Sequence, residues 1–213
     1  FHKRNIPTDK LQVFSTGLAH SILNEIRIFC ESKVKYERMN QSYKRSFLLY
    51  GPPGTGKSSI IALAVKDLIE KYQAVVIQLS TVDYIPTICE AIENLRVNNP
   101  DQLIVLVFED AERALNNEDL LSVLDGHNTI ENLILLSTVN DIDCLPERIK
   151  NRPGRISSRY LIDSLDISIK KIYVQNFIKD LSLKDSFVDD LLPKIEDLSF
   201  DQVKEVLIKM SVF

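Results

Sequence analysis

The sequence predicts an α/β fold, in which helices flank a parallel β-sheet, followed by a small domain made of helices only. Five short apolar runs punctuate the chain, and helical patterns lie between most of them. These runs are residues 47–50, 74–79, 103–108, 133–138 and 159–162. Four of the five are continuous rather than alternating in their apolar pattern, as expected for strands buried on both faces. Strands that alternate with helices predict a parallel sheet sandwiched between helical layers.

Length and composition suit one sizeable core with a small appended domain. The chain has 213 residues, of which 45% are hydrophobic, and this is ample for such a core. No apolar run approaches the roughly 20 residues that a membrane-spanning helix needs. The chain starts at Phe1 without an initiator Met or a signal-peptide pattern. We therefore expect a piece of a longer protein whose targeting or membrane segments lie elsewhere.

Cysteine usage indicates a reducing intracellular compartment. Cys30, Cys89 and Cys144 are more than 50 residues apart and do not cluster with histidines, so no metal-ligand spacing is present. The net charge is −4, but residues 1–50 carry 9 Lys and Arg against 4 Asp and Glu, whereas the remainder carries 17 against 26. The basic N-terminal stretch either contacts nucleic acid or another subunit, or forms a solvated helical face. The sequence favours the solvated face.

The first elements precede the sheet. Residues 1–20 are mixed and polar and are interpreted as a lead-in segment. Residues 21–39 are predicted to form one amphipathic helix, because Ile22, Ile26 and Phe29 recur at helical spacing.

The most specific motif follows the first apolar run. Residues 51–58 match the phosphate-binding pattern G-x-x-x-x-G-K-[ST] without a break. The predicted nucleotide-binding residues are Gly51, Pro52, Pro53, Gly54, Thr55, Gly56, Lys57, Ser58 and Ser59. Glycines let main-chain N–H groups turn toward phosphate oxygens, Lys57 adds a positive charge, and the Ser58 hydroxyl is suited to ligate Mg²⁺. An apolar stripe from position 61 to 68 predicts that the loop opens a helix.

Two carboxylates end the third apolar run. Glu109 and Asp110 follow residues 103–108 directly, so they are expected at the edge of the sheet where the phosphate loop lies. A carboxylate there can hold Mg²⁺, and a neighbour can polarise an attacking water. The alternative is that the two acids begin a polar turn.

The fourth and fifth runs bring further polar side chains. Asn140 follows residues 133–138 and can orient a water without adding charge, although it also fits the start of a turn. Arg152 and Arg155 flank a Pro-Gly pair before the fifth run. A guanidinium held by such a turn can stabilise charge on a γ-phosphate; the alternative is a pair of loose surface arginines.

Helical patterns alone occupy residues 165–213, which we interpret as a lid domain beside the 21–164 nucleotide-binding domain. One apolar stripe runs from Ile169 to Leu181, and a second, starting at Phe187, should be interrupted by Pro193. Residues 199–202 fit the S-x-x-Q capping box at the start of the last helix.

Taken in this order and spacing, the loop, the strand-end acids, the Thr-Val-Asn segment and the Arg-Pro-Gly-Arg turn resemble the AAA (AAA+) family of ATPases. The resemblance implies a P-loop core with a parallel five-stranded sheet in the order 5-1-4-3-2 and a C-terminal helical lid. It also implies ATP and Mg²⁺ as cofactors, with Ser58 and Glu109 on the metal and Asp110 and Asn140 setting the water. It further implies a ring, a hexamer or heptamer, in which Arg152 and Arg155 act on the neighbour's nucleotide.

Within that family the chain is similar to the mitochondrial inner-membrane members that translocate the folded Rieske subunit during complex III assembly. The shared segments are residues 31–36, 43–59, 106–110 and 124–126, and the Glu-Asp order at 109–110 is the reverse of the Asp-Glu of most AAA proteins. The pore-loop glycine of many unfoldases is missing after Tyr84, and the final helix starts without an arginine.

The function predicted from the sequence is therefore an ATP-hydrolysing ring motor that remodels or translocates a macromolecule, most simply a protein. Two alternatives stay open: a DNA-handling AAA+ ATPase, such as a loader or viral motor, and a nucleotide-gated scaffold with low turnover. The expected compartment is the cytoplasm, that of a virus-infected host cell included, or the mitochondrial matrix side if the closer resemblance holds.

Overall fold

A computed structural model describes residues 17–79, 85–112, 114–118, 130–150, 155–163, 167–180 and 186–212 of the chain. The helices within these residues are α1 (Gly17–Cys30), α2 (Lys33–Arg38), α3 (Lys57–Tyr72), α4 (Ile85–Asn98), α5 (Glu147–Lys150), α6 (Ile167–Asp180), α7 (Ser186–Ile195) and α8 (Phe200–Val212). The strands are β1 (Lys44–Tyr50), β2 (Val75–Leu79), β3 (Ile104–Phe108), β4 (Leu133–Val139) and β5 (Ser158–Leu161). Short 3₁₀ turns span Ala114–Asn116 and Ile142–Cys144. Among the described helices, none has the length and apolar character to cross a bilayer.

The five strands form one parallel sheet in the order β2-β3-β4-β1-β5. Read from the other edge, this is the predicted order 5-1-4-3-2, which is confirmed. The central strands β3 and β4 are buried along their whole lengths, in agreement with their continuous apolar sequences. In the register of the sheet, Ser137 of β4 lies beside both Leu48 of β1 and Phe108 of β3. The residues that follow these three strands therefore emerge at one edge.

Each face of the sheet buries its own apolar cluster, because alternate side chains of a strand point to opposite faces. Phe47 and Leu49 join a cluster with α1, α3 and the three C-terminal helices. Leu48, between them, joins the opposite cluster with residues of α4 and α5. The C-terminal helices thus pack into the same core as the helix that follows the phosphate loop.

The predicted single helix over residues 21–39 is wrong, because the structure contains two helices with a turn at Glu31 and Ser32. The Ser32 hydroxyl donates to the Ile28 carbonyl at 2.6 Å, which completes the end of α1. The turn brings Tyr36 of α2 against Tyr43, with ring centroids 5.4 Å apart. Packing of these aromatic rings overrides a helical periodicity that could have continued.

The predicted interruption at Pro193 is also wrong, since α7 runs through it and ends at Ile195. The helix continues for two residues beyond Pro193, although proline has no N–H to donate to the carbonyl four residues earlier. Lys170 of α6 is only 2% exposed, and its ammonium donates to the carbonyls of Ile195 and Glu196. These bonds supply donors to the carbonyl groups at the end of α7.

The predicted capping box at the start of α8 is confirmed. The Ser199 N–H donates to Gln202 Oε1 at 2.8 Å, and the Gln202 N–H donates to Ser199 Oγ at 3.3 Å. The reciprocal bonds satisfy two main-chain donors at the helix start. They also define the point in the chain at which the final helix begins.

A half-buried polar network joins α1 to the sheet through Glu25. Its carboxylate accepts hydrogen bonds from the Ser158 hydroxyl at 2.6 Å, from Tyr160 and from the Arg45 guanidinium. Burial raises the pKa of Glu25, but the hydrogen bonds from Ser158, Tyr160 and Arg45 outweigh it and hold the pKa below its ordinary value. The network therefore stabilises the packing of α1 on β1 and β5 while Glu25 is ionised.

Candidate functional site

The candidate site lies at the carboxyl edge of the sheet, where β1, β3 and β4 end side by side. Gly51 follows β1, Glu109 follows β3 and Asn140 follows β4. Ligands bind at this edge in open parallel sheets. The structure thus brings together three of the segments that the sequence singled out.

The phosphate loop has a backbone that only glycine accommodates easily. Gly51 has φ of 142° and Gly56 has φ of 94°. A Cβ atom on Gly51 would lie 2.2 Å from the carbonyl oxygen of Ile162, so the loop passes directly against the end of β5. Gly56 is the residue before α3, and its left-handed conformation turns the chain from the loop into the helix. The first N–H groups of α3 therefore face the loop, as anion binding requires.

Lys57 is the buried cation of the site, with 6% of its surface exposed. Its ammonium donates to the carbonyl of Gly51 at 2.7 Å, to the carbonyl of Pro52 at 2.8 Å and to Asn140 Oδ1 at 3.1 Å. Burial lowers the pKa of Lys57, and the charges of Asp110, Glu112 and Asp201 oppose that shift only in part. The ammonium is thus held centrally between the loop and β4.

Ser58 and Glu109 place two oxygen atoms close together. The Ser58 hydroxyl donates to Glu109 Oε2 at 2.6 Å, and Gln78 Nε2 is 3.5 Å from the other carboxylate oxygen. The described residues contain no cluster of three or more His, Cys, Asp or Glu that could hold a metal. One carboxylate and one hydroxyl nevertheless suit Mg²⁺, which keeps several waters and takes its other ligands from substrate phosphates. The pair therefore fits the predicted metal role.

Asp110 and Asn140 are in direct contact. Asn140 Nδ2 donates to Asp110 Oδ1 at 3.1 Å, while the amide oxygen faces Lys57. Asp110 has φ of 50°, a left-handed conformation that is uncommon for a residue other than glycine. Thr138 holds this turn, because its Oγ1 accepts the Asp110 N–H at 3.0 Å and its carbonyl accepts the Ala111 N–H at 2.7 Å. One amide thus links the cation and the carboxylate.

The start of α8 contacts the phosphate loop. The Asp201 N–H is 3.3 Å from the Gly54 carbonyl, and a Cβ atom on Gly54 would lie 2.7 Å from Ser199 Oγ. The sequence shows that no arginine starts this helix. The sequence did not reveal that residues at the start of α8 meet the loop through main-chain and hydroxyl groups.

The predicted arginines are only partly covered by the structure. Arg155 is half-buried and its guanidinium donates to the Arg148 carbonyl at 3.3 Å. Arg152 lies outside the described residues, as does Tyr84 of the segment after β2.

Sequence reasoning missed one acid at the site. Glu112 accepts the main-chain N–H of Asn140 at 2.8 Å through Oε1. A signal was present in the sequence, because Glu112 follows Asp110 by two residues at the same strand end. It was not singled out because the turn conformation of Asp110 decides where Glu112 lies.

This parallel sheet, with a phosphate loop, strand-end acids and an asparagine at one edge, defines a nucleoside-triphosphate-binding domain of the P-loop class. Residues 47–164 match the family described as "ATPase family associated with various cellular activities (AAA)". The match covers more than half of the chain, and the chain belongs to this family.

Several curated proteins are similar to the chain. Mitochondrial chaperone BCS1 of Bos taurus is 28% identical over 96% of this chain and 52% of its own length. Mitochondrial chaperone BCS1 of Homo sapiens is 29% identical over 73% of this chain and 40% of its own length. An AAA-ATPase of Arabidopsis thaliana is 29% identical over 82% of this chain and 37% of its own length. The chain thus spans about half the length, or less, of these relatives.

Proposed function

We propose that the chain is the ATP-hydrolysing motor domain of a ring-forming AAA protein that remodels or translocates a protein substrate. The observation that carries the proposal is the convergence at one sheet edge of the buried Lys57 ammonium, the Ser58 and Glu109 oxygens, and the contact between Asp110 and Asn140. Each group has the chemistry that phosphoryl transfer to water needs.

The loop residues bind the triphosphate. Main-chain N–H groups of the non-proline residues of the loop, from Gly54 to Ser59, surround phosphate oxygens, and Lys57 contributes the positive charge. The three acceptors on Lys57 already use the three donors of an ammonium group. A phosphate oxygen must therefore replace at least one of them, and the Asn140 oxygen is the most distant of the three at 3.1 Å. Binding would then leave the Asn140 side chain held by its bond to Asp110.

Hydrolysis requires a positioned water and a proton acceptor. Ser58 and Glu109 would hold Mg²⁺, which neutralises charge on the β- and γ-phosphates when bound. Asp110 orients the water and accepts its proton as the water oxygen bonds to the γ-phosphorus and the bond to the ADP oxygen breaks. Asn140 Nδ2 keeps the Asp110 carboxylate in place.

The site is completed in trans in this proposal. Arg152 and Arg155 of one subunit stabilise the charge that develops on the γ-phosphate of its neighbour, and such fingers contribute on the order of 10³ to 10⁵ in rate. The assembly would be a hexamer or heptamer ring of identical chains. Support comes from membership of the AAA family.

A protein substrate is favoured by two of these relatives, the Bos taurus and Homo sapiens proteins, which are named mitochondrial chaperones. By the same likeness we propose a mitochondrial location for the chain. The DNA-handling alternative is weakened by ion pairs of the basic N-terminal stretch. Arg27 pairs with Asp67, Lys33 with Asp101 and Arg45 with Glu25, and these pairs reduce the positive charge offered to a phosphate backbone.

The test compares two substitutions in the purified full chain. Lys57→Ala should abolish binding of Mg·ATP, because it removes the buried cation. Arg152→Ala should leave binding intact and abolish hydrolysis. Lys35→Ala, which removes an exposed lysine on α2, is the matched control and should behave as the parent. Turnover by the Lys57→Ala protein at the parental rate would refute the ATPase site.

Steady-state hydrolysis measured across protein concentration separates the motor from the low-turnover scaffold. A ring with shared sites gains specific activity as subunits associate. A negligible rate at every concentration would favour the scaffold.

A further inference from the structure

We propose that Glu112 is a positioning residue that fixes Asn140 for hydrolysis. Its Oε1 accepts the Asn140 main-chain N–H at 2.8 Å, and neither the family match nor the motifs assign it a role. The inference rests on the proposed ATPase function and adds a residue to its machinery.

Glu112 completes a set of crossed bonds between two strand ends. From β4, Thr138 accepts the N–H groups of Asp110 and Ala111, which follow β3. In the opposite direction, Glu112 from the β3 side accepts the N–H of Asn140, which follows β4. Each strand end thus holds the other. Among the described residues, the other hydrogen bond from Asn140 to the β3 end is made by its side chain, to Asp110.

The orientation of the Asn140 amide gives this bond its importance. In the structure the amide presents its oxygen to Lys57 and its nitrogen to Asp110, at 3.1 Å each. A side chain with two such partners depends on the direction of its own Cα–Cβ bond, which the backbone sets. When phosphate replaces the Asn140 oxygen on Lys57, the backbone anchor becomes the main remaining constraint. The position of the Asp110 carboxylate would then depend on the Asn140 side chain, and the position of that side chain would depend on the bond from the Asn140 main chain to Glu112.

Glu112 also contributes charge, because it opposes the lowering of the pKa of Lys57. The two roles make different predictions. A charge role would affect nucleotide binding through Lys57, whereas a positioning role would affect the chemical step. Gln keeps an oxygen acceptor but removes the charge, so Glu112→Gln separates the two.

The experiment measures ATP hydrolysis by the assembled full chain in five forms: the parent, Glu112→Ala, Glu112→Gln, Asn140→Ala, and the double variant with both alanines. Glu112→Ala should lower kcat about tenfold, the usual size of a lost hydrogen bond to a charged group, with KM for ATP within about twofold of the parent. Glu112→Gln should recover most of kcat. The double variant should be no slower than Asn140→Ala, because both changes disrupt one unit.

The control is Glu118→Ala, which removes an exposed acid from the same segment and should match the parent. Thermal unfolding checks that each variant is folded, and Glu112→Gln serves if the alanine variant is not. The proposal is overturned if Glu112→Ala raises KM without lowering kcat, if Glu112→Gln is as slow as Glu112→Ala, or if the two alanine effects multiply. If Asn140→Ala is impaired while Glu112→Ala is not, only this inference fails. Full turnover by Lys57→Ala would instead refute the ATPase function itself.

Discussion

The substitution Thr138→Val tests whether the left-handed turn at Asp110 is held from the neighbouring strand. Valine has nearly the shape of threonine and suits a β-strand, so packing at this 2% exposed position should be preserved. The hydroxyl that accepts the Asp110 N–H at 3.0 Å is lost. The bond is part-buried and Asp110 itself is exposed, so its loss should cost the net worth of a typical hydrogen bond, about 0.5–1.5 kcal/mol.

The lost hydrogen bond is at Asp110, which adopts a left-handed conformation with φ of 50°. This conformation costs an L-residue about 1–2 kcal/mol. The missing bond and the strain together favour relaxation of the turn, which would move the carboxylate away from Asn140. We therefore expect Thr138→Val to lower the free energy of unfolding by about 0.5–1.5 kcal/mol and kcat by at least about tenfold. Affinity for ATP should be unchanged, because the phosphate loop is not altered.

Urea unfolding and steady-state hydrolysis measure the two effects. Thr138→Ser is the matched control, because it keeps the hydroxyl and should retain most of the activity. Parental stability and parental kcat in the valine variant would refute the idea that this hydroxyl holds Asp110. Equal loss in the serine variant would attribute the effect to packing instead.

Three further predictions concern the scaffold. Lys170→Met should lower the free energy of unfolding, measured with urea, by about 2 kcal/mol, because it removes the donors at the end of α7. The control Lys204→Met, at an exposed position of α8, should leave the free energy of unfolding unchanged, and equal effects of the two substitutions would contradict the capping role. Gly51→Ala should lower the free energy of unfolding by about 3 kcal/mol or more, because the new Cβ atom would lie 2.2 Å from the carbonyl oxygen of Ile162. A variant as stable as the parent would contradict this, since it would show that the loop can move away from β5. The pKa of Glu25 is lower in the folded protein than its ordinary value of 4.5. The ionised carboxylate therefore stabilises the fold at pH values above 4.5, and this stabilisation is lost as the pH falls through the pKa of the folded protein. The free energy of unfolding should fall less steeply below about pH 5 in Glu25→Gln than in the parent, and identical pH profiles would refute this.

The sequence predicted the parts of the fold that local pattern controls. Continuous apolar runs identified the buried strands, since both faces of this sheet are covered by helices. The capping box at Ser199 was readable because its partners are three residues apart. The phosphate loop was readable because glycine and lysine at fixed spacing have few other uses.

The parts that the sequence did not predict depend on contacts between distant residues. The turn between α1 and α2 depends on Tyr43 packing against α2, and the extension of α7 past Pro193 is accompanied by a cap from Lys170. Neither partner is marked by local periodicity.

At the candidate site, too, the sequence predicted the residues marked by local pattern and missed one whose position depends on the fold. Lys57, Ser58, Glu109 and Asn140 were predicted to meet because strand ends of a parallel sheet share one edge. Glu112 was missed, because its place follows from a backbone angle two residues earlier that no composition reveals.

The central claim is a nucleotide site shared between subunits, and a mixing experiment tests it most directly. Lys57→Ala and Arg152→Ala proteins are each expected to be inactive alone. When they are mixed in equal amounts and allowed to exchange subunits, about a quarter of the interfaces would pair an intact Lys57 with an intact neighbouring Arg152, and ATP hydrolysis should reappear. A mixture as inactive as its components, from variants that assemble normally, would contradict the shared site.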